Sequence, residues 1–159
     1  VIIELGSRRV VHFNVTRSPG DNWVCQQIRN ATPFGEAPKF LIKDNDKKYG
    51  NQFQQAARGV EIDVIPTPIA APKANAHCER FIGSMRRECL DHMIILNERH
   101  LYRAVSEYIT YYNECRPHQG IGQRIPCLSG QFENGEVEGK IIGLPVLGGL
   151  HHDYQRRVA

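Results

Sequence analysis

The chain has 159 residues, of which 41% are hydrophobic and 23% charged, as in an ordinary globular domain and unlike a disordered or fibrous protein. No apolar run approaches the roughly 20 residues that a membrane-spanning helix needs, so we expect no membrane partner. The net charge of +3 reflects 20 basic and 17 acidic residues, too small an excess to indicate a nucleic-acid partner by itself.

The five cysteines are scattered along the chain, and no CxxC pair occurs among them. An odd number of isolated cysteines is typical of reduced thiols rather than of a disulfide framework. The first ten residues, VIIELGSRRV, lack the basic and apolar segments of a secretory signal. We therefore expect a cytoplasmic protein.

The first half of the chain predicts four short strands and two helices. Val1–Leu5 is an apolar run and Val11–Val15 alternates apolar with polar residues, which together favour a hairpin. Asp21 or Asn22 is expected to cap a helix that extends to about Asn30. The following segments are predicted, in order, as a buried strand, a short helix and a further strand: Lys39–Asp44, Asn51–Arg58 and Ile62–Ile65.

The second half predicts two longer helices. The first extends from about Asn75 to about Leu90, and Asn97 caps the second, which ends at Arg116-Pro117. Each helix has an apolar stripe at i, i+4, i+7 and i+11. These stripes are Cys78, Ile82, Met85 and Cys89, and then Leu101, Val105, Tyr108 and Tyr112. The order of elements predicts an α/β or α+β domain, in which helices flank a mixed central sheet.

The composition changes after Pro126. Residues 127–159 contain six glycines, and a separate stable domain of that length would be unusual. We therefore predict a principal domain over residues 1–126, followed by a tail or small β element over residues 127–159.

Two carboxylates lie where a metal site could form. Asp44 ends a predicted strand, and Glu79 falls in the first turns of a predicted helix, 35 positions later. Mg²⁺ prefers carboxylate oxygens, water and substrate phosphate, and a pair of such ions can assist phosphoryl transfer. An early helical position also favours the ionised form of Glu79. Two ordinary solvated acids would have the same spacing, so these residues alone leave both interpretations open.

Three stretches of sequence point to a family: LIKDNDKKYGNQF, PKANAHCERFIGSMRRECLDH and YYNECRPHQGIGQRIP. Over roughly residues 1–126 the chain resembles the integrase core of bacterial insertion-sequence transposases, retroviral-integrase-like enzymes with an RNase H-like fold and an Asp-Asp-Glu metal triad. The resemblance implies that Asp44 is the second aspartate of the triad and Glu79 its glutamate. It implies two Mg²⁺ or Mn²⁺ ions in the complete enzyme. Asp46, where the family usually has glycine, is an alternative or additional ligand.

The same resemblance implies DNA contacts. Arg86 follows Glu79 by seven residues and so shares its helical face, and Gly83 between them leaves room for a phosphate. Basic residues on this face contact DNA in the family, and a proline-rich loop precedes the catalytic helix. The predicted DNA-binding residues are Arg86, Lys73, Arg80 and Arg87, each with a surface ion pair or solvated side chain as the ordinary alternative.

The function implied by the resemblance is DNA transposition: metal-dependent strand cleavage and strand transfer, with element ends and target DNA as partners and further copies of the protein in a homo-oligomer. In the family, the first aspartate lies on a strand before the one that begins here at Val1. We therefore expect this chain to lack the first strand of the fold and to be inactive alone. The alternative is a non-catalytic remnant, or a regulatory fragment that binds DNA or self-associates.

Overall fold

The computed structural model describes residues 1–33, 37–68, 75–127 and 139–157. The strands are β1 (Ile2–Ile3), β2 (Val10–His12), β3 (Phe40–Lys43), β4 (Asp63–Pro66), β5 (Lys140–Val146) and β6 (His151–Arg157). The helices are α1 (Asp21–Ala31), α2 (Asn51–Gly59), α3 (Ala76–Glu88) and α4 (Glu98–Glu114), with short 3₁₀ turns between some elements. The predicted order of strands and helices up to α4 is confirmed, as is the mixed α/β class.

The described strands form three two-stranded sheets, pairing β1 with β2, β3 with β4, and β5 with β6. The β3–β4 pair is parallel, with Phe40 opposite Asp63 and Lys43 opposite Pro66. The single mixed central sheet of an RNase H-like fold therefore stays a prediction. The division between residues 1–126 and 127–159 also stays a prediction.

The chain forms two compact units. The first unit comprises Val1–Ile3 and Val11–Ile82, and the second comprises Glu4–Val10 and Gly83–Ala159. A buried apolar cluster holds the first unit together, formed by Val24, Ile28, Phe53, Ala57 and Ile62. These residues come from α1, α2 and the segment before β4, so burial of apolar surface fixes the two helices against the parallel strands.

The predicted burial of β3 is wrong on one face of the strand. Leu41 packs against the apolar cluster of the first unit, whereas Phe40 is 53% exposed and Ile42 is 36% exposed. Successive side chains of a strand point to opposite faces. Because the cluster covers only one of these faces, the run of apolar residues is half-buried.

The predicted cap of the first helix is also wrong. Helix α1 begins at Asp21 itself, after Gly20, and has no side-chain cap. The Asp21 carboxylate instead accepts hydrogen bonds from the start of α2: Oδ1 from the backbone N–H groups of Gly50 (3.1 Å) and Phe53 (2.8 Å), and Oδ2 from that of Gln52 (2.9 Å). A carboxylate there satisfies N–H groups that the helix leaves unpaired. A Cβ on Gly50 would lie 2.5 Å from Asp21 Oδ2, so glycine permits this approach.

The apolar stripe of α3 differs from the predicted one. Phe81 is 1% exposed, whereas Ile82, one position further along, is 41% exposed. Cys89 is fully buried, as the stripe predicts, while Cys78 and Met85 are only partly covered. Packing therefore selects a face of α3 rotated by about one residue from the one that periodicity favours.

The cap and apolar stripe of α4 agree well with the sequence. Asn97 caps the helix, its Oδ1 accepting a hydrogen bond from His100 N–H at 2.8 Å. Val105, Tyr108 and Tyr112 are buried. The C-terminal segment forms an antiparallel hairpin of β5 and β6, in which Lys140 pairs with Arg157 and Val146 with His151. Among the described residues, no helix combines the length and apolar character needed to cross a membrane.

Candidate metal and DNA site

Asp44 immediately follows β3, in a loop held by hydrogen bonds within the first unit. Its Oδ1 accepts a hydrogen bond from the Asp46 backbone N–H at 3.2 Å. The Asn45 side chain donates to the Thr67 carbonyl at 2.8 Å, which ties this loop to the end of β4. The Asp44 side chain is 43% exposed, so its carboxylate is fixed in position and still accessible to solvent.

Lys48 distinguishes Asp44 from Asp46. Its ammonium lies 2.9 Å from Asp46 Oδ2 but 3.8 Å from Asp44 Oδ2. Hydrogen bonds from the backbone and side chain of Lys48 lower the pKa of Asp46. Burial alone would lower the pKa of Lys48, but its hydrogen bond to Asp46 and the nearby acidic groups raise it overall. The Asp46 carboxylate is therefore engaged by a cation, and Asp44 is the carboxylate less occupied by it.

Glu79 lies in the first turn of α3 and is exposed. Its backbone N–H donates to the Asn75 carbonyl at 3.2 Å, which begins the helical hydrogen-bond pattern. Local structure thus places an accessible carboxylate at residue 79.

Cys78 directly precedes Glu79 and lies within electrostatic range of Asp44 in the first unit. Burial raises the pKa of the Cys78 thiol, and the negative charges of Asp44 and Glu79 raise it further. Asp44 follows the end of β3, and Glu79 lies in the first turn of α3. Among the described residues, no group of three or more His, Cys, Asp and Glu side chains could hold a metal ion. The assignment of Asp44 and Glu79 as metal ligands stays a prediction.

The four predicted DNA-binding residues fall in different parts of the structure. Lys73 lies outside the described residues. Arg80 is exposed next to Glu79 in the first unit, while Arg86 and Arg87 are exposed in the last turn of α3, in the second unit. A Cβ on Gly83 would lie 3.0 Å from a guanidinium nitrogen of Arg87. The space that Gly83 leaves open is thus already taken up by the Arg87 side chain.

Sequence reasoning missed a partly buried ion pair around Glu88, at the end of α3. Arg116 binds the Glu88 carboxylate with two nitrogens, at 3.0 and 2.7 Å, and the Tyr108 hydroxyl donates to it at 2.8 Å. Burial opposes ionisation, but these hydrogen bonds hold the pKa of Glu88 below its usual value. The Arg116-Pro117-His118 motif was the available signal. Its arginine has a structural role, joining α3 to the segment after α4.

Two comparisons bear on this arrangement. Residues 58–126 match the family model described as "Integrase core domain". This stretch is therefore similar to the core domain of integrases. The match begins after Asp44 and includes Glu79, Arg80, Arg86 and Arg87. The matched segment therefore covers the glutamate of the candidate pair and all four candidate DNA-binding residues, Lys73 included.

The chain is also similar to Escherichia coli transposases. The InsD transposase for insertion element IS2A/D/F/H/I/K, and that for IS2D in strain K12, are 24% identical to it over 127 residues, which is 75% of this chain and 42% of each relative. The InsD protein of IS2E, from the same strain, matches at the same identity, with 58% of its length covered. The chain thus spans about half the length of the curated relatives it matches. The predicted recognition of an integrase core from insertion-sequence transposases is confirmed.

Proposed function

We propose that this chain is the catalytic core of a DNA transposase with an RNase H-like fold, in which Asp44 and Glu79 bind divalent metal for strand cleavage and strand transfer. The observation that supports the proposal most directly is the position of these two carboxylates. One follows the parallel strand β3, and the other lies in the first turn of α3 next to Cys78, whose thiol is within electrostatic range of Asp44. The integrase core match and the names of the relatives agree with this chemistry.

The donor set fits Mg²⁺ or Mn²⁺. These hard ions prefer carboxylate oxygens and retain several waters, so two protein carboxylates leave positions for water and for DNA phosphate oxygens. When bound, such ions stabilise negative charge on the attacking and leaving oxygens of an in-line phosphoryl transfer. Cysteine and histidine would indicate a softer ion, but Cys78 is half-buried with its pKa raised, so it is held as a neutral thiol.

The chain's own residues would position the substrate. Asp44 is held by the Asp46 backbone N–H and by the loop that Asn45 attaches to β4, so its carboxylate needs little reorganisation to bind. Lys48 neutralises Asp46 and limits the excess negative charge that would repel phosphate. The exposed Arg80, Arg86 and Arg87 side chains supply guanidinium groups suited to bidentate phosphate contacts.

The first experiment measures Mn²⁺ binding to the 159-residue chain by the loss of the free-ion electron paramagnetic resonance signal. Asp44→Asn and Glu79→Gln should each weaken binding by about tenfold or more, because each removes a charged oxygen ligand. Asp46→Asn is the matched control and should bind at least as well as those two variants, since Asp46 is paired with Lys48. Equal binding by wild type, D44N and E79Q would refute the assignment of both residues.

A second measurement separates metal ligands from DNA contacts. Fluorescence anisotropy of a labelled duplex, with and without Mn²⁺, should show a metal-dependent gain in affinity that D44N and E79Q lose. Replacing Arg80, Arg86, Arg87 or Lys73 singly by Gln should weaken duplex binding measured without Mn²⁺. Each replacement should also reduce the slope of log affinity against log salt concentration by about one, as for the loss of one phosphate contact. DNA binding that is unaffected by Mn²⁺ in the wild type would favour the non-catalytic alternative.

A further inference from the structure

The β5–β6 hairpin has one face fixed to α4. The His151 ring stacks on Tyr111, with 4.7 Å between centroids and 9° between planes, and its Nε2 lies 2.7 Å from the Glu88 carbonyl. The Leu147 backbone N–H, at the hairpin turn, donates to Glu107 at 2.6 Å. His151 and Asp153 are partly buried, whereas Gln155 and Arg157 further along the same face are exposed. The end of this face nearest the hairpin turn is therefore committed to packing.

The outer face carries a row of aromatic and basic side chains on alternate residues of β6. His152, Tyr154 and Arg156 are all exposed, and Tyr154 is 73% exposed. Alternate residues of a strand project from the same face, about 6.8 Å apart. The His152 and Tyr154 rings are tilted by 32°, with 6.1 Å between their centroids. Two π surfaces and a guanidinium thus follow one another along a solvent-facing strand.

The opposite strand makes room for this row. Pro145, Gly143 and Ile141 on β5 pair with His152, Tyr154 and Arg156. A Cβ on Gly143 would lie 3.3 Å from Tyr154 Cε1, closer than most real contacts, and 3.5 Å from the His152 ring, an ordinary contact distance. Glycine at position 143 therefore lets the Tyr154 ring lie close to the backbone of β5. The two rings form neighbouring, mutually tilted surfaces on the outer face.

The charge of the hairpin suits an anionic ligand. Arg156, Arg157 and Lys140 are exposed at its open end. Arg156 uses one guanidinium nitrogen in a 3.3 Å contact with the Gly139 carbonyl, which orients the group and leaves other N–H donors available. The acidic residue of β6, Asp153, belongs to the inner face and accepts a hydrogen bond from Gln155. On the outer face itself the basic group is Arg156, beside His152 and Tyr154. Arg157 and Lys140 pair with each other and share the alternate face with Asp153.

We infer that the outer face of the β5–β6 hairpin, formed by His152, Tyr154 and Arg156, binds single-stranded DNA, separately from the site of Asp44 and Glu79. Unpaired bases stack on aromatic rings without sequence preference, and basic side chains beside them follow the phosphates. A duplex keeps its bases stacked on one another, so it cannot use the exposed face of Tyr154. The ligand expected here is thus a strand with unpaired bases.

The test is the affinity of the 159-residue chain for a labelled oligothymidine of about 16 nucleotides, a length within the range of single-strand binding sites, measured by anisotropy in EDTA. Tyr154→Leu should weaken binding about tenfold, while Tyr154→Phe, which keeps the ring, should stay within about twofold of wild type. Arg156→Gln should weaken binding and reduce its salt dependence. Gly143→Val, which displaces the ring, should resemble Y154L.

The control is Arg29→Gln, which removes the same charge from the exposed last turn of α1 and should leave binding unchanged. Circular dichroism establishes that each variant is folded. Two results would overturn the inference: oligothymidine binding that Y154L and R156Q leave intact, or a loss on Y154L for duplex DNA equal to that for the single strand. EDTA removes divalent metal, so the oligothymidine measurement does not depend on metal binding by Asp44 and Glu79. Either measurement can therefore fail without changing the interpretation of the other.

Discussion

The Asp21 carboxylate is the cap whose removal tests the structure most directly. It accepts three backbone hydrogen bonds from the first turn of α2, one of them from the fully buried Phe53. Losing a helix cap costs about 0.5–2 kcal/mol, and leaving a half-buried N–H group without a partner adds a further desolvation cost. We therefore expect Asp21→Ala to lower the free energy of unfolding by about 2 kcal/mol, which lowers Tm by about 4–8 °C for a chain of this size.

Urea denaturation followed by circular dichroism measures this loss through the shift in midpoint. Asp21→Asn should give an intermediate value, because its amide retains one acceptor oxygen and loses the charge. Asn22→Ala is the matched control: Asn22 was the other candidate cap, is exposed, and makes no capping hydrogen bond to α1. If the free energies of unfolding of D21A and N22A agree within about 0.5 kcal/mol, Asp21 does not stabilise the start of α2, and the capping of α2 is refuted.

Three further outcomes follow from side chains that the fold buries. In urea denaturation, Phe81→Ala should lower the free energy of unfolding by about 3–5 kcal/mol, whereas Ile82→Ala should lower it by about 1 kcal/mol or less. A larger loss for Ile82→Ala would show that the face predicted from the sequence is the buried one. The pKa of Glu88 is lower in the folded than in the unfolded state. Ionised Glu88 therefore stabilises the fold above the unfolded pKa of about 4.3, and this stabilisation is lost as pH falls through the folded pKa. Glu88→Gln should therefore make the free energy of unfolding depend less on pH in acid. Burial lowers the pKa of His118, so the free energy of unfolding should decrease as pH falls below about 6.5 and the unfolded chain binds a proton first. His118→Gln should remove this contribution to the pH dependence. An unchanged pH dependence between about pH 5 and 7 would contradict the burial of His118.

The sequence by itself determined the order of the elements up to α4, the cap at Asn97 and the family. Helix and strand periods, Asn at an N-cap and Pro after a helix are short-range signals, because they depend on residues within a few positions of one another. The motif around Glu79 is of the same kind, since it lies on one helix. This is why the sequence could predict α3, α4 and the position of the candidate glutamate without knowing what packs against them.

Only the tertiary structure decided which partner each side chain meets. Asp21 caps the helix that begins 30 residues further along rather than its own, and Arg116 binds Glu88 across 28 positions. Phe81 rather than Ile82 is buried because neighbouring elements choose the covered face of a helix. The sequence predicted a tail or small β element at the C-terminus, but it did not predict a hairpin with Tyr154 outward, since the antiparallel register sets which residues share a face. Such pairings depend on long-range packing, which local propensity does not encode.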